Sequence, residues 1–252
     1  ETGQNVLKSA SDTVKKCVME LGGNNPVLVY PDADLDALVG VLGFRQFNNC
    51  GQHCSGPGRY YVHEKVYDEF LKKLAAFADS IRVGDPLEEG TFMGPVVSKA
   101  QQKKIEDFVD GAIKEGATLY YTRKKTPEQE KGAYVMPTIV SDCTHDMRIA
   151  REEVFGPVAV VIKWRDGDDL VKLANDSPYG LCAHVWTRNL ALALQLADAL
   201  EVGNVFINCQ TLSEEQSWGT NVKASGLGRE GGLEGLKEFT DLKEITIDYN
   251  TF

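Results

Sequence analysis

Short apolar runs alternate along the chain with longer stretches in which apolar residues recur every three or four positions. Cys17–Leu21, Pro26–Tyr30, Arg59–His63, Val158–Trp164, Gly180–Trp186 and Val202–Asn208 are short, rich in Val, Ile and aromatic residues, and read as buried strands. Glu64–Ile81 places Val66, Phe70, Leu74 and Phe77 on one helical face. Ser98–Gly116 repeats the pattern with Ile105, Phe108 and Ile113, opened by Ser98 as an N-cap and closed by Gly116. Asp168–Asn175 and Asn189–Leu200 supply two more helices, each followed by a strand within a few residues. Such alternation builds βαβ units, so the pattern predicts an α/β fold with a mostly parallel sheet flanked by helices.

Three segments break this rhythm. Thr122–Gly132 (TRKKTPEQEKG) has no periodicity and reads as a charged surface loop. Ser213–Gly232 is polar and glycine-rich, with SGLGREGG as turn-rich backbone, and a short helix follows around Leu233–Phe239. Glu244–Tyr249 (EITIDY) alternates apolar and polar residues and predicts a terminal strand. A lone strand needs a neighbour, in its own chain or another.

Composition narrows the function classes. With 252 residues, 42% hydrophobic and 25% charged, the chain is one large globular domain or two small ones. A net charge of −10 argues against a nucleic-acid or anionic-membrane partner. No apolar run reaches the roughly 18 residues that a membrane span needs. The opening ETGQNVLKSASD carries no signal-peptide pattern and no methionine, and reads as a fragment or a processed chain. Six scattered cysteines make no disulfide framework, so reduced thiols in the cytosol or an organelle matrix are expected. Cys17, Cys182 and Cys209 sit in apolar runs and are expected to be buried, inert thiols.

Cys54 differs. In FNNCGQHCSGPG (47–58) it lies among Gly51, Ser55, Gly56 and Gly58, small residues that let a substrate approach the backbone. A helix N-terminus beside it would stabilise its thiolate. Two plainer readings stand beside this one. Cys54 is a buried structural thiol, or Cys50, His53 and Cys54 are half a metal site, which no second Cys/His cluster completes. The segment MELGG (19–23) ends an apolar strand on Glu20, either a solvated carboxylate or a general base for water.

Together these segments resemble the aldehyde dehydrogenase superfamily. ELGG followed by Asn25-Pro26 and DADLD (32–36) matches the family's glutamate signature, and FNNCGQHC its cysteine signature, 34 residues from Glu20 to Cys54. VYDEF (66–70), VGDP (83–86), Gly94-Pro95, Pro137-Thr138, EEVFGPV (152–158), YGL (179–181), INC (207–209) and SGLGREGG (225–232) follow in family order. The resemblance implies oxidation of an aldehyde to a carboxylic acid with NAD or NADP and no metal. It implies Cys54 as nucleophile forming a thiohemiacetal and then a thioester, and Glu20 as base for the hydrolytic water. It further implies Glu153 and Phe155 at the nicotinamide ribose, backbone of Leu21 and Gly22 beside the nicotinamide, and Gly3 as the last glycine of the cofactor loop. The N–H of Cys54 would be one oxyanion donor.

Residues 1–22 would then close a cofactor-binding domain, 23–224 form the catalytic domain, 225–239 a return segment, and 240–252 an oligomerisation strand and tail. The family chain is about twice as long, so the chain alone is expected to lack full activity, and a homodimer or tetramer is expected. Asn24 replaces the family's usual Lys, as an exposed strand residue expected to be neutral. SWGTNVKASG (217–226) replaces a Pro-Phe-Gly-Gly-x-Lys pattern with one extra residue, and Thr211–Gln216 is a variable substrate-pocket wall. His53 and Ser55 flank the nucleophile and should line that pocket. Two other classes remain: a non-catalytic relic that uses its terminal strand to assemble, and a cysteine hydrolase. The hydrolase lacks a base, since His53 adjoins Cys54 and His63, His145 and His184 lie in no orienting motif.

Overall fold

The computed structural model describes residues 1–210 and 221–251. Seven strands form the central sheet: β1 (Asn25–Val29), β2 (Pro57–His63), β3 (Thr118–Tyr121), β4 (Thr138–Cys143), β5 (Val158–Trp164), β6 (Cys182–Trp186) and β7 (Asn204–Ile207). Their spatial order is β3-β4-β5-β2-β1-β6-β7, all parallel except the antiparallel edge pair β3–β4. The fold is therefore the expected α/β class, with one antiparallel edge strand. β1, an interior strand, is buried at every position, as a parallel strand covered on both faces must be.

The helices follow the predicted faces with local shifts. Tyr67–Ser80 buries Phe70, Leu71, Leu74 and Ala78. Lys99–Lys114 starts on Ser98, whose hydroxyl accepts from Gln101 N, and buries Gln102, Ile105, Phe108 and Ala112. Ile113 is exposed instead, because Ala112 continues the buried face four residues after Phe108. Leu190–Ala199 falls within the predicted helix 189–200 and is capped by Asn189, whose side chain accepts from Leu192 N.

Four expectations need correction. The segment 122–132 holds a short helix, Pro127–Lys131, fixed by a Thr126–Gln129 capping box. The edge strand β3 and its neighbour β4 were not foreseen. β3 is largely exposed and so lacks an apolar signature, and β4 ends in polar residues. Only Met19–Glu20 of the run at 17–21 is strand, paired antiparallel with Gly226–Leu227, and Cys17 is part-exposed rather than buried. Finally, 240–248 is exposed and without regular structure, with a short 3-10 turn at Tyr249–Thr251. Among the described residues its alternation pairs with no other strand.

Candidate active site

The polypeptide around Cys54 is shaped by a sharp reversal. Helix Phe44–Phe47 ends, and Asn49, Cys50 and Gly51 all take left-handed backbone conformations (φ 49°, 59° and 65°). At Gly51 a side chain would run into the carbonyl of Gly156, so the cysteine loop and the EEVFGP loop are in backbone contact. Cys54 then sits in a turn closed by Gly56 N–H to the His53 carbonyl (3.1 Å), just before β2. It lies beyond the end of a helix, not at the start of one, so no helix dipole favours its thiolate.

Burial, then the negative charges of Glu20 and Glu153, push the Cys54 thiol up, while N–H groups of Ser55 and of Cys54 itself pull it down. The charges of both carboxylates thus oppose ionisation of the sulfur. Cys50 is a packed thiol donating to the carbonyls of Gly94 (3.1 Å) and Pro95 (3.4 Å), its pKa pushed up to about 11 by burial. Cys143 and Cys182 are buried, whereas Cys209, like Cys17, is only partly so. Among the described residues no group of three or more His, Cys, Asp or Glu could hold a metal ion.

The glycines of ELGG bring the parts together. A Cβ on Gly23 would lie 2.5 Å from the Cys54 carbonyl, and one on Gly22 would collide with the Glu153 carboxylate. Gly23 N–H donates to Glu153 Oε1 (3.0 Å), and burial raises the Glu153 pKa against that bond and the Lys104 charge. Gly3, buried in helix Thr2–Ser11, packs so tightly on Leu21 that a Cβ would be 2.6 Å from its methyl carbon. Phe155 has a left-handed backbone (φ 54°), and its carbonyl accepts from Gln101 Nε2 (2.9 Å). Glu20 ends its short strand with Oε1 accepting from Asn221 Nδ2 (2.6 Å), and its pKa is raised by burial against that bond. Gly3, Leu21, Gly22, Glu153 and Cys54 are thus one chain of contacts, with Glu20 and Phe155 at its margins.

The aldehyde dehydrogenase family model matches residues 1–245. The chain belongs to that family. It is 41% identical over 251 residues to the chloroplastic betaine aldehyde dehydrogenase of Amaranthus hypochondriacus, covering 99% of this chain and 50% of that protein. It is 39% identical over 245 residues to succinate-semialdehyde dehydrogenase [NADP(+)] 2 of Schizosaccharomyces pombe, covering 97% of this chain and 50% of that one. The aldehyde dehydrogenase of Bacillus cereus, solved as an NAD+ complex, superposes with a TM-score of 0.92 at 36% identity, over 98% of this chain and 50% of that one. The chain spans about half the length of the curated relatives it matches.

Within this aldehyde dehydrogenase chain, three asparagines carry positioning work that the sequence reading missed. Asn25 Nδ2 donates to the carbonyls of Cys54 (2.8 Å) and Gly56 (2.7 Å), and its Oδ1 accepts from Cys182 N (3.1 Å). One side chain thereby ties β1, the cysteine turn and β6. Asn221 holds Glu20 as described and is 7% exposed. Asn24, expected to be exposed, is 3% exposed and donates to the Ala150 carbonyl (2.9 Å). It turns inward because Gly58 packs directly on it, leaving no room for solvent. For Asn24 and Asn25 the signal available was their place directly after ELGG, not their type; Asn221 carried no such signal. The histidines at a distance have other partners: His63 meets Asp166 (3.1 Å), and His145 meets Tyr61 and Asp176 (both 2.9 Å). His184 is fully buried, which lowers its pKa to about 3. Thr211–Gln216 and Ser217–Thr220 lie outside the described residues.

Proposed function

We propose that this chain carries the nucleophile and the general base of an NAD- or NADP-dependent oxidation of aldehydes to carboxylic acids. The observation that carries the reading is the packing of the Cys54 carbonyl on Gly23, three residues after Glu20, with the Gly23 N–H held by Glu153. Cys54 Sγ, once deprotonated, adds to the aldehyde carbon, and the Cys54 N–H donates to the oxygen that becomes negative. Glu20, with one oxygen held by Asn221, takes a proton from water as that water attacks the acyl group on Cys54. Its raised pKa makes it a stronger base than an exposed glutamate.

The cofactor assignment rests on the chemistry of the acceptors. Glu153 presents a partly buried carboxylate beside Leu21 and Gly22, suited to ribose hydroxyls, with Phe155 as a flat neighbour. Bound NAD or NADP supplies the two-electron acceptor. Under this reading residues 1–22 belong to the cofactor side, 23–224 to the catalytic side, and 225–239 return to pair with Met19–Glu20. Relatives named for the chloroplast and peroxisome support a soluble compartment, cytosol or organelle matrix, and no helix among the described residues is long and apolar enough to cross a membrane.

Glu20→Gln tests the assignment of the base. With p-nitrophenyl acetate as acyl donor, the burst of p-nitrophenolate is expected to persist while the steady-state rate falls by about 100-fold. Acylation itself should quicken severalfold near neutral pH, because removing a negative neighbour makes the Cys54 thiol easier to ionise. Equal slowing of both phases would assign Glu20 to thiol activation instead.

We also propose that residues 240–252 are an assembly segment giving a homodimer or tetramer. Leu242, Ile245 and Tyr249 are 104%, 74% and 79% exposed, apolar surface that a monomer would leave in water. Sedimentation at several concentrations should show a dimer or larger species that Ile245→Lys dissociates. A monomeric wild-type chain would remove the segment from the assembly.

A further inference from the structure

A cavity of about 290 Å³ opens beside the cysteine turn, lined by Gly40, Val41, Phe44, Arg45 and Gln210. Its two polar walls both touch Ser55, the residue after the nucleophile. Arg45 Nη2 donates to the Ser55 hydroxyl (2.7 Å), and Gln210 Nε2 donates to the Ser55 carbonyl (3.1 Å). On the other side of Cys54, the Arg45 charge reaches His53 and lowers its pKa, after burial. The guanidinium therefore binds one residue that flanks the sulfur, and its charge is felt at the other.

This cation has capacity to spare. Arg45 Nε is buried and has no hydrogen-bond partner among the described residues, and neither has Gln210 Oε1. Among the described residues no carboxylate lies within ion-pair distance of Arg45, although 15 other such pairs occur. A part-buried guanidinium with no carboxylate beside it among the described residues can take an anion, and its planar fork matches a carboxylate or phosphoryl group. Placed in a cavity against the nucleophile's turn, it has one evident use.

We infer that Arg45 is a specificity residue that binds an anionic group at the far end of the substrate, so that the chain selects aldehydes bearing a carboxylate or phosphoryl group. The inference rests on Cys54 being the nucleophile. It sets this chain apart from relatives named for betaine aldehyde, a trimethylammonium compound that Arg45 would repel. The carbonyl carbon meets Cys54 while the anion lies over Arg45 and Ser55. Phe44 and Val41 cover the carbon chain between.

The test reads Cys54 directly on the chain as it stands. Cys54 is alkylated with anionic iodoacetate and with neutral iodoacetamide, and the rates are taken from peptide mapping. The iodoacetate-to-iodoacetamide ratio should fall about tenfold in Arg45→Met, be largely restored in Arg45→Lys, and shrink with added salt. Reversible addition of an aldehyde should protect Cys54. 4-Oxobutanoate or phosphonoacetaldehyde is expected to protect at concentrations at least tenfold below butanal, with the advantage lost in Arg45→Met. Whichever of the two anions protects better identifies carboxylate or phosphoryl as the group bound. Loss of rate toward both reagents alike in Arg45→Met would reduce Arg45 to a support for Ser55 and overturn the proposal. Better protection by betaine aldehyde would overturn it as well. A Cys54 inert to both reagents in the wild-type chain would overturn the assignment of the nucleophile itself, and this inference with it.

Discussion

Replacing Cys54 with alanine is expected to abolish acyl transfer from p-nitrophenyl acetate, a loss on the order of a thousandfold or more. The remaining thiols cannot take its place. Cys50, Cys143 and Cys182 are buried, and burial holds the thiols of Cys50 and Cys143 near 11 and 12, far from ionisation at neutral pH. Cys17 and Cys209 are partly exposed, yet neither is flanked by the contacts that join Gly23, Asn25 and Glu153 to the Cys54 turn. The measurement is the burst of p-nitrophenolate together with the mass of the acylated peptide. Acyl group found on Cys17 or Cys209 at wild-type rate would reassign the nucleophile.

The pH dependence follows from the same surroundings. The thiolate is the reactive form, and burial with two carboxylates raises the Cys54 pKa. Acylation by the wild-type chain should therefore keep rising with pH beyond the ordinary thiol range, and its midpoint should move down in Glu20→Gln. A flat profile across neutral pH would mean a thiolate already formed, in conflict with this electrostatic setting.

Much of this site could be read in the sequence because its residues work through backbone geometry. Gly22 and Gly23 must be glycine since the Glu153 carboxylate and the Cys54 carbonyl occupy the space of a side chain, and such positions leave a fixed letter in a motif. The central strands were equally plain: β1, β2, β5 and β6 are buried along nearly their whole length and are mostly apolar. What escaped was held by long-range partners. Asn25 and Asn221 look like loop asparagines until the fold places them 29 and 201 residues from the groups they bind. Asn24 seemed an exposed substitution because residue type carries no record of Gly58 pressing on it. The terminal run 244–249 shows the opposite error. Alternation specifies a strand only where another edge receives it, and among the described residues no edge pairs with this run.

Arg59→Met is expected to destabilise the chain by about 3–5 kcal/mol, seen as a lowered urea midpoint. Arg59 lies in β2 and is 1% exposed, and burial lowers its pKa. Its Nε donates to the Asn24 carbonyl (3.1 Å), Nη1 to Tyr61 Oη (2.9 Å) and the Leu173 carbonyl (3.1 Å), and Nη2 to the Ala174 carbonyl (2.7 Å). Apolar replacement of a buried charge is often tolerated when its partners leave with it, but here the carbonyls of Asn24 and Ala174 lose the guanidinium and that of Leu173 falls back on the longer bond from Tyr61 Oη (3.4 Å). Two of them close helix Leu170–Asn175, and the third begins β1 beside Gly23, so the loss spreads from packing to the site. Cys54 alkylation should accordingly slow in Arg59→Met even at temperatures where the variant stays folded. Arg59→Lys restores only part of the stability, because one ammonium cannot span the carbonyls of Asn24 and Ala174 as the guanidinium fork does. A midpoint unchanged in Arg59→Met would show that the strand and helix hold these carbonyls without it.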